Sequence, residues 1–141
     1  MRYLLDTNVI SELIARQPNP QVVEWIDSLD SSSIYLSVIT VGEIRKGIAK
    51  LADSKHKESL QRWLEEDLLI RFDEHILPLD VDVMVTWGRV VGELSAQGIN
   101  LSIVDSLIGT TALHYRCILV TRNEADFRFT GVDLVNPWKS V

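Results

Sequence analysis

Cysteine occurs once in this chain, at Cys117, so neither an intrachain disulfide nor a cysteine-built metal site can form. A reducing cytoplasm is the setting that this predicts. Long apolar runs are missing too: the first, over residues 2–5, stops at Asp6, far short of a signal-peptide core, and nothing later approaches a membrane span. Basic residues are the minority, 14 against 20 acids for a net charge of −6, which excludes a surface that coats nucleic acid through its overall field. Any polyanion must be met locally. Histidine is sparse, and His56, His75 and His114 lack ligand spacing, so they read as surface or core side chains. Repeats, low-complexity tracts and linkers are absent from the sequence.

What is present suits one globular domain spanning residues 1–141: 46% of the residues are hydrophobic and 24% charged. Short apolar runs at 2–5, 34–37, 76–79, 117–121 and 132–135 read as strands. Helical patterns lie between them: 9–15, Pro20 to Leu29 behind an Asn19 cap, Thr40 to Leu51, 55–70, Asp80 to Gln97 ended by Gly98, and Ser102 to about Tyr115. The two helices on either side of Asp53 resemble a hairpin projecting beside the sheet. Strands alternating with helices predict an α/β fold with a central, mainly parallel sheet, right-handed crossovers and binding loops at the strands' carboxyl ends. Trp25, Trp63, Trp87 and Trp138 read as packing residues.

Acids sit where that architecture gathers loops. Asp6 closes the first strand, Asn123 and Asp126 follow the strand ending near Val120, and Glu43 and Asp105 lie near helix starts on the same side of the sheet. Each has a plainer explanation. Thr40 to Glu43 fits a capping box and Ser102 to Asp105 a close variant, Asp6 can cap the next helix, and Asp126 can stabilise a turn after Asn123. Taken singly, capping is the commoner role. Asp6 shifts the balance, because a carboxylate ending a central strand needs a partner to offset its burial. Several carboxylates with no His or Cys form an oxygen donor set suited to Mg²⁺ or Mn²⁺ rather than Zn²⁺. Arg45, Lys46, Lys50, Lys55, Lys57 and Arg62 concentrate six of the 14 basic side chains in one segment, a local positive patch or an ordinary solvated helix face.

In order along the chain, LLDTNVISEL around Asp6, SVITVGEIRKGI around Glu43, SIVDSLIGTTAL around Asp105 and VTRNEADF resemble the four acidic motifs of PIN-domain proteins. They closely resemble the VapC-type toxins of prokaryotic toxin–antitoxin modules, and the terminal VNPW is similar to the FitB-like branch. The resemblance covers nearly the whole chain. It implies a PIN-like three-layer α/β/α sandwich and a Mg²⁺- or Mn²⁺-dependent endoribonuclease held in check by a cognate antitoxin. Asp6, Glu43 and Asp105 would be the metal ligands and catalytic acids. The fourth place falls to Asn123 as a neutral ligand or to Asp126 as an acid. Thr7 and Asn8 match positions that steady the first aspartate, and Arg45, Lys46, Lys50 and Arg122 are candidates to meet RNA.

Hydrolysis by metal-activated water predicts 5′-phosphate and 3′-hydroxyl products. A rival reading keeps the fold without turnover, as a binding module that acts with its antitoxin in transcriptional repression. A third, aspartyl phosphotransfer at Asp6, is disfavoured because Asn8 stands where a second acid would serve as proton donor. A homodimer and a toxin–antitoxin hetero-oligomer complete the expectations, with packing surfaces around Trp63, Val9–Ala15 and Val22–Leu29.

Overall fold

The computed structural model describes residues 1–139. Five strands, β1 (Tyr3–Leu5), β2 (Ile34–Ser37), β3 (Ile76–Leu77), β4 (Ile118–Val120) and β5 (Leu134–Val135), form one sheet in the order β3-β2-β1-β4-β5. Each pairing between neighbours is parallel. The chain winds outward from β1 to β3, then returns to β4 on the other flank of β1. A reversal of this kind opens a crevice at the carboxyl ends of β1 and β4.

Seven α-helices of varied length connect or flank the strands up to β4: α1 (Thr7–Leu13), α2 (Pro20–Asp27), α3 (Val38–Ala49), α4 (Lys55–Trp63), α5 (Leu69–Arg71), α6 (Val81–Ala96) and α7 (Ile103–His114). The short α8 (Glu124–Phe127) follows β4. Between α4 and α5 the backbone makes one π-helical stretch, Leu64–Leu68, which keeps Leu64 and Leu68 buried and leaves Glu65, Glu66 and Asp67 in solvent. Helices α3 and α4 pack as the expected hairpin. Lys57 closes its turn, donating to the carbonyls of Leu51 at 3.1 Å and Ala49 at 3.4 Å, so this lysine is engaged in structure.

Alternation along the strands builds two cores. Leu5, Leu36 and Val120 turn to one face and meet Val9, Ile26, Ile44, Leu68 and Phe72. Leu4 and Leu119 turn to the other, against Ile108, Ala112, Cys117 and Phe127. Helices therefore cover both faces, and the architecture is the three-layer α/β/α sandwich. On the second face α7 comes so close to Phe127 that a Cβ on Gly109 would lie 3.3 Å from its ring.

Several boundaries move, each for a local reason. Helix α3 starts at Val38 rather than Thr40, because Ser37 ends β2 and also caps α3, its Oγ accepting the Ile39 N–H at 3.1 Å. Helix α1 starts at Thr7, directly after Asp6. Strand β3 is shorter than the run 76–79, since Pro78 has no N–H for the ladder. Gly98 ends α6 as expected, with φ +80 in the left-handed region. Among the described residues no helix is long and apolar enough to cross a membrane.

Candidate active site

The crevice holds a cavity of about 550 Å³. At its base is Asp6, 5% exposed, carried there because Leu5 pairs with Val120 and the next residue of each strand continues side by side. Thr121, fully buried, donates its hydroxyl to Asp6 Oδ2 at 2.8 Å. The Thr7 backbone N–H reaches Asp6 Oδ1 at 2.8 Å, which is a helix cap. Asn8 bridges from Asp6 Oδ2 at 3.4 Å to the Thr121 hydroxyl at 3.3 Å. One Asp6 oxygen therefore caps α1, and the residue also lines the cavity.

Glu43 comes from α3. Counted from Val38 it is the sixth residue of that helix, beyond the reach of a first-turn cap, so the capping-box explanation does not hold for it. Its Oε1 instead accepts the Thr7 hydroxyl at 2.6 Å, with the buried Thr40 hydroxyl 3.3 Å from Thr7. Asp105 comes from the first turn of α7, where its backbone N–H, 3.2 Å from Ser102 Oγ, completes the helix cap while the residue lines the cavity. Here the cap and the site coexist.

Asp6 feels the two carboxylates that come from remote segments. Burial holds the Asp6 carboxyl above its ordinary value, the bonds from Thr121 and Thr7 pull it back, and the charges of Asp105 and Glu43 push it up again. Among the residues lining the cavity, Asp6, Glu12, Glu43 and Asp105 are acidic and Arg122 is the one base. Such a cavity attracts cations and repels phosphate unless a cation sits between. The donors are all oxygen and fit a hard divalent cation in kind. As they stand, however, no group of three or more His, Cys, Asp and Glu side chains among the described residues is arranged to hold a metal ion.

The remaining expected residues divide. Thr7, Asn8, Arg122 and Asn123 line the cavity. Asn123 is the N-terminal flank of α8 but makes no side-chain cap, which leaves its amide free to face the cavity. Asp126 lines a neighbouring depression that it shares with Asp105 and Phe129. Arg45 and Lys46 on α3 and Lys50 at its C-cap are exposed and do not line the cavity. Of the histidines, His75 stacks on Tyr35 with ring centroids 4.6 Å apart and His114 bonds to Thr86 at 2.9 Å, both packing roles. Cys117 is buried, which pushes its thiol up to about 11, so it stays protonated and unreactive.

Thr121, Glu12 and Trp138 escaped the sequence reading as site residues. Glu12 stands four residues after Asn8 and shares its helix face, a spacing that was available. Thr121 needed knowledge that β1 and β4 are neighbours. Trp138 needed the path of the last segment back to α1.

A carboxylate-lined crevice at the reversal point of a fully parallel sheet defines a class, and the family model for the PIN domain matches residues 3–132. The chain belongs to the PIN-domain family. Within it, the chain is 39% identical over 135 residues to Toxin FitB of Neisseria gonorrhoeae, covering 96% of this chain and 97% of the relative. It is 34% identical over 136 residues to a VapC ribonuclease of Sinorhizobium fredii, covering 96% and 97%. The crystal structure of FitAcB from Neisseria gonorrhoeae superposes with a TM-score of 0.92 at 39% identity over 96% of this chain and 98% of that one. The structure of FitAB bound to the IR36 DNA fragment gives 0.93 at 37% identity over 99% and 97%.

Proposed function

We propose that this protein is the toxin of a toxin–antitoxin pair and a Mg²⁺- or Mn²⁺-dependent endoribonuclease. The observation that carries the reading is the gathering of Asp6, Glu43 and Asp105, from three separate segments, around one cavity. Its support from relatives is that one is named a toxin and another a VapC ribonuclease.

In this reading Asp6, Glu43 and Asp105 hold the cation, with Asn123 or Asp126 as the fourth contributor. A cation held there would supply a water acidified enough to attack phosphorus near neutral pH, together with charge to offset that on the phosphate oxygens. The protein's own residues do the rest. Thr121, the Thr7 N–H and Asn8 fix the Asp6 carboxylate, and the Thr7 hydroxyl fixes Glu43, so the donors lose little freedom on binding. Arg122 meets the substrate at the rim. Substrate is RNA with an accessible single-stranded or loop segment, whose bases can be splayed out.

The test is cleavage of RNA in Mg²⁺, in Mn²⁺ and with chelator, by the natural protein and by Asp6→Asn. Cleavage that persists in chelator and in the variant sinks the proposal. A second reading, binding without turnover in a repressor complex, draws on the FitAB assembly bound to DNA. It predicts promoter binding with an antitoxin and no metal-dependent RNA cleavage. Under either reading the apolar groove lined by Ile10, Leu13, Ile26, Trp63, Leu68 and Phe72 is the surface offered to the antitoxin or to a second copy. Solution mass with and without antitoxin tests the homodimer and hetero-oligomer.

A further inference from the structure

Trp138 has the surroundings of a built part rather than a filler. Its indole N–H donates to Glu12 Oε1 at 3.0 Å, and its backbone N–H to Asn136 Oδ1 at 3.0 Å. Asn136 in turn donates to Glu124 Oε2 at 3.2 Å and to the Arg122 carbonyl at 3.4 Å, and Lys139 forms an ion pair with Glu124. The segment 136–139 is thereby strapped to the loop at the carboxyl end of β4. The outcome is a partly buried indole on the wall of the same cavity as Asp6 and Asp105.

Arg122 lies over that indole, its guanidinium carbon 5.3 Å from the ring centroid. Four carboxylates share the cavity with it, yet among the described residues the salt bridges do not include Arg122. A guanidinium that stacks on an aromatic ring stays planar and keeps N–H groups for a phosphate, while its plane can itself support a base. Unpaired RNA bases stack on aromatic rings and on arginine planes in this way.

We propose that the Trp138–Arg122 pair is the base-stacking platform of the site: it receives one unpaired RNA base beside the acids and binds an adjoining phosphate through Arg122. The inference rests on the ribonuclease reading and adds the element that selects and positions substrate. Glu12 and Asn136 are positioning residues, since they act through Trp138. The strap pre-orders the indole, so the base meets a surface that loses little entropy on binding.

The probe is a short labelled oligoadenylate in Mg²⁺, with binding measured on an Asp6→Asn background and cleavage on the natural background. Trp138→Leu keeps apolar bulk without a ring, Trp138→Phe keeps a ring, and Arg122→Ala changes only an exposed side chain. Trp138→Leu is expected to weaken binding about tenfold or more, and Trp138→Phe to restore most of it. Replacing adenosines one at a time by abasic residues should find one position at which the Leu variant no longer differs from Trp. A packing role would not produce that base-dependent coupling. Arg122→Ala should lower the salt dependence of binding. Equal binding by Trp and Leu forms, or a loss in the Leu form that no abasic position removes, overturns the platform while leaving the ribonuclease reading intact. An Arg122→Ala form that binds like the parent overturns the arginine's part. If the natural protein neither binds nor cleaves the probe or any other RNA, the ribonuclease reading fails and the platform with it.

Discussion

Helix α1 divides two hollows of opposite character. Asn8, Ser11 and Glu12 on one side face the acid-lined cavity of about 550 Å³, whereas Ile10, Leu13 and Ile14 on the other face an apolar groove of about 130 Å³. The groove is lined by side chains of the main core, so burial there stabilises the fold. In the cavity burial works the other way: Asp6 is driven under the surface with two like charges nearby. One short helix thus borders a region shaped by stability and one that opposes it, which is the pattern expected of a binding site.

The comparison can be broken most decisively at Asp6. On the proposed metal-dependent reading, Asp6→Asn should lower RNA cleavage by about 10³-fold, since it would remove a donor to a cation that offsets transition-state charge. The same variant should melt at an equal or higher temperature than the natural protein, because the charge it removes is buried. A melting point several degrees lower would show that Asp6 serves the fold. Across the helix, Leu68→Ala should cost about 2–5 kcal/mol in denaturant unfolding, for a side chain only 5% exposed, with cleavage by the folded fraction intact.

Thr121→Val sharpens the point within the cavity: it keeps the shape, removes the bond to Asp6, and on the proposed reading should raise the Mg²⁺ concentration for half-maximal cleavage about tenfold. Gly109→Ala should cost about 1 kcal/mol, as a methyl group 3.3 Å from Phe127 asks that ring to shift.

The smallest effect concerns pH and the terminal strap. Bonds from Lys139 and Asn136 hold the Glu124 carboxyl below its ordinary value. A depressed value means that Glu124 contributes stability above about 4.5, and that this is lost as pH falls through its folded value. Asp6 has the opposite sign: its raised value gives a contribution complete below about 3.8 that is lost as pH rises through the folded value. Tryptophan emission followed on acidification in the Asp6→Asn background isolates the first effect. Loss of the Trp138 environment as pH falls below about 4.5 in that background is the expected outcome, and the same loss at an unchanged midpoint in Glu124→Gln would contradict the assignment.

Much of the fold was legible because its elements are marked by local signals. Asn19 before Pro20, Asp80 at the start of α6 and Gly98 at its end each do what their chemistry suggests. The same logic misled at Glu43, where Ser37 serves both as strand end and as cap, with no loop between, so that Thr40 is carried inside the helix and buried. Asp105 shows that a capping motif and a cavity acid need not be alternatives. Of the two candidates for the fourth place, Asn123 lines the main cavity and Asp126 a neighbouring depression.

Taken alone, the sequence determined the alternation of strands and helices, the two-faced burial of the strands, and the presence of acids at chain positions that a parallel sheet turns toward one edge. Periodicity and caps are local, and a single chain records them. Which strands are neighbours, and so that Thr121 steadies Asp6, that Thr7 steadies Glu43, and that Trp138 returns to the mouth of the cavity against Glu12, was decided by tertiary packing. These contacts join residues 36 to 126 positions apart, and only the burial of both sheet faces brings them within bonding distance.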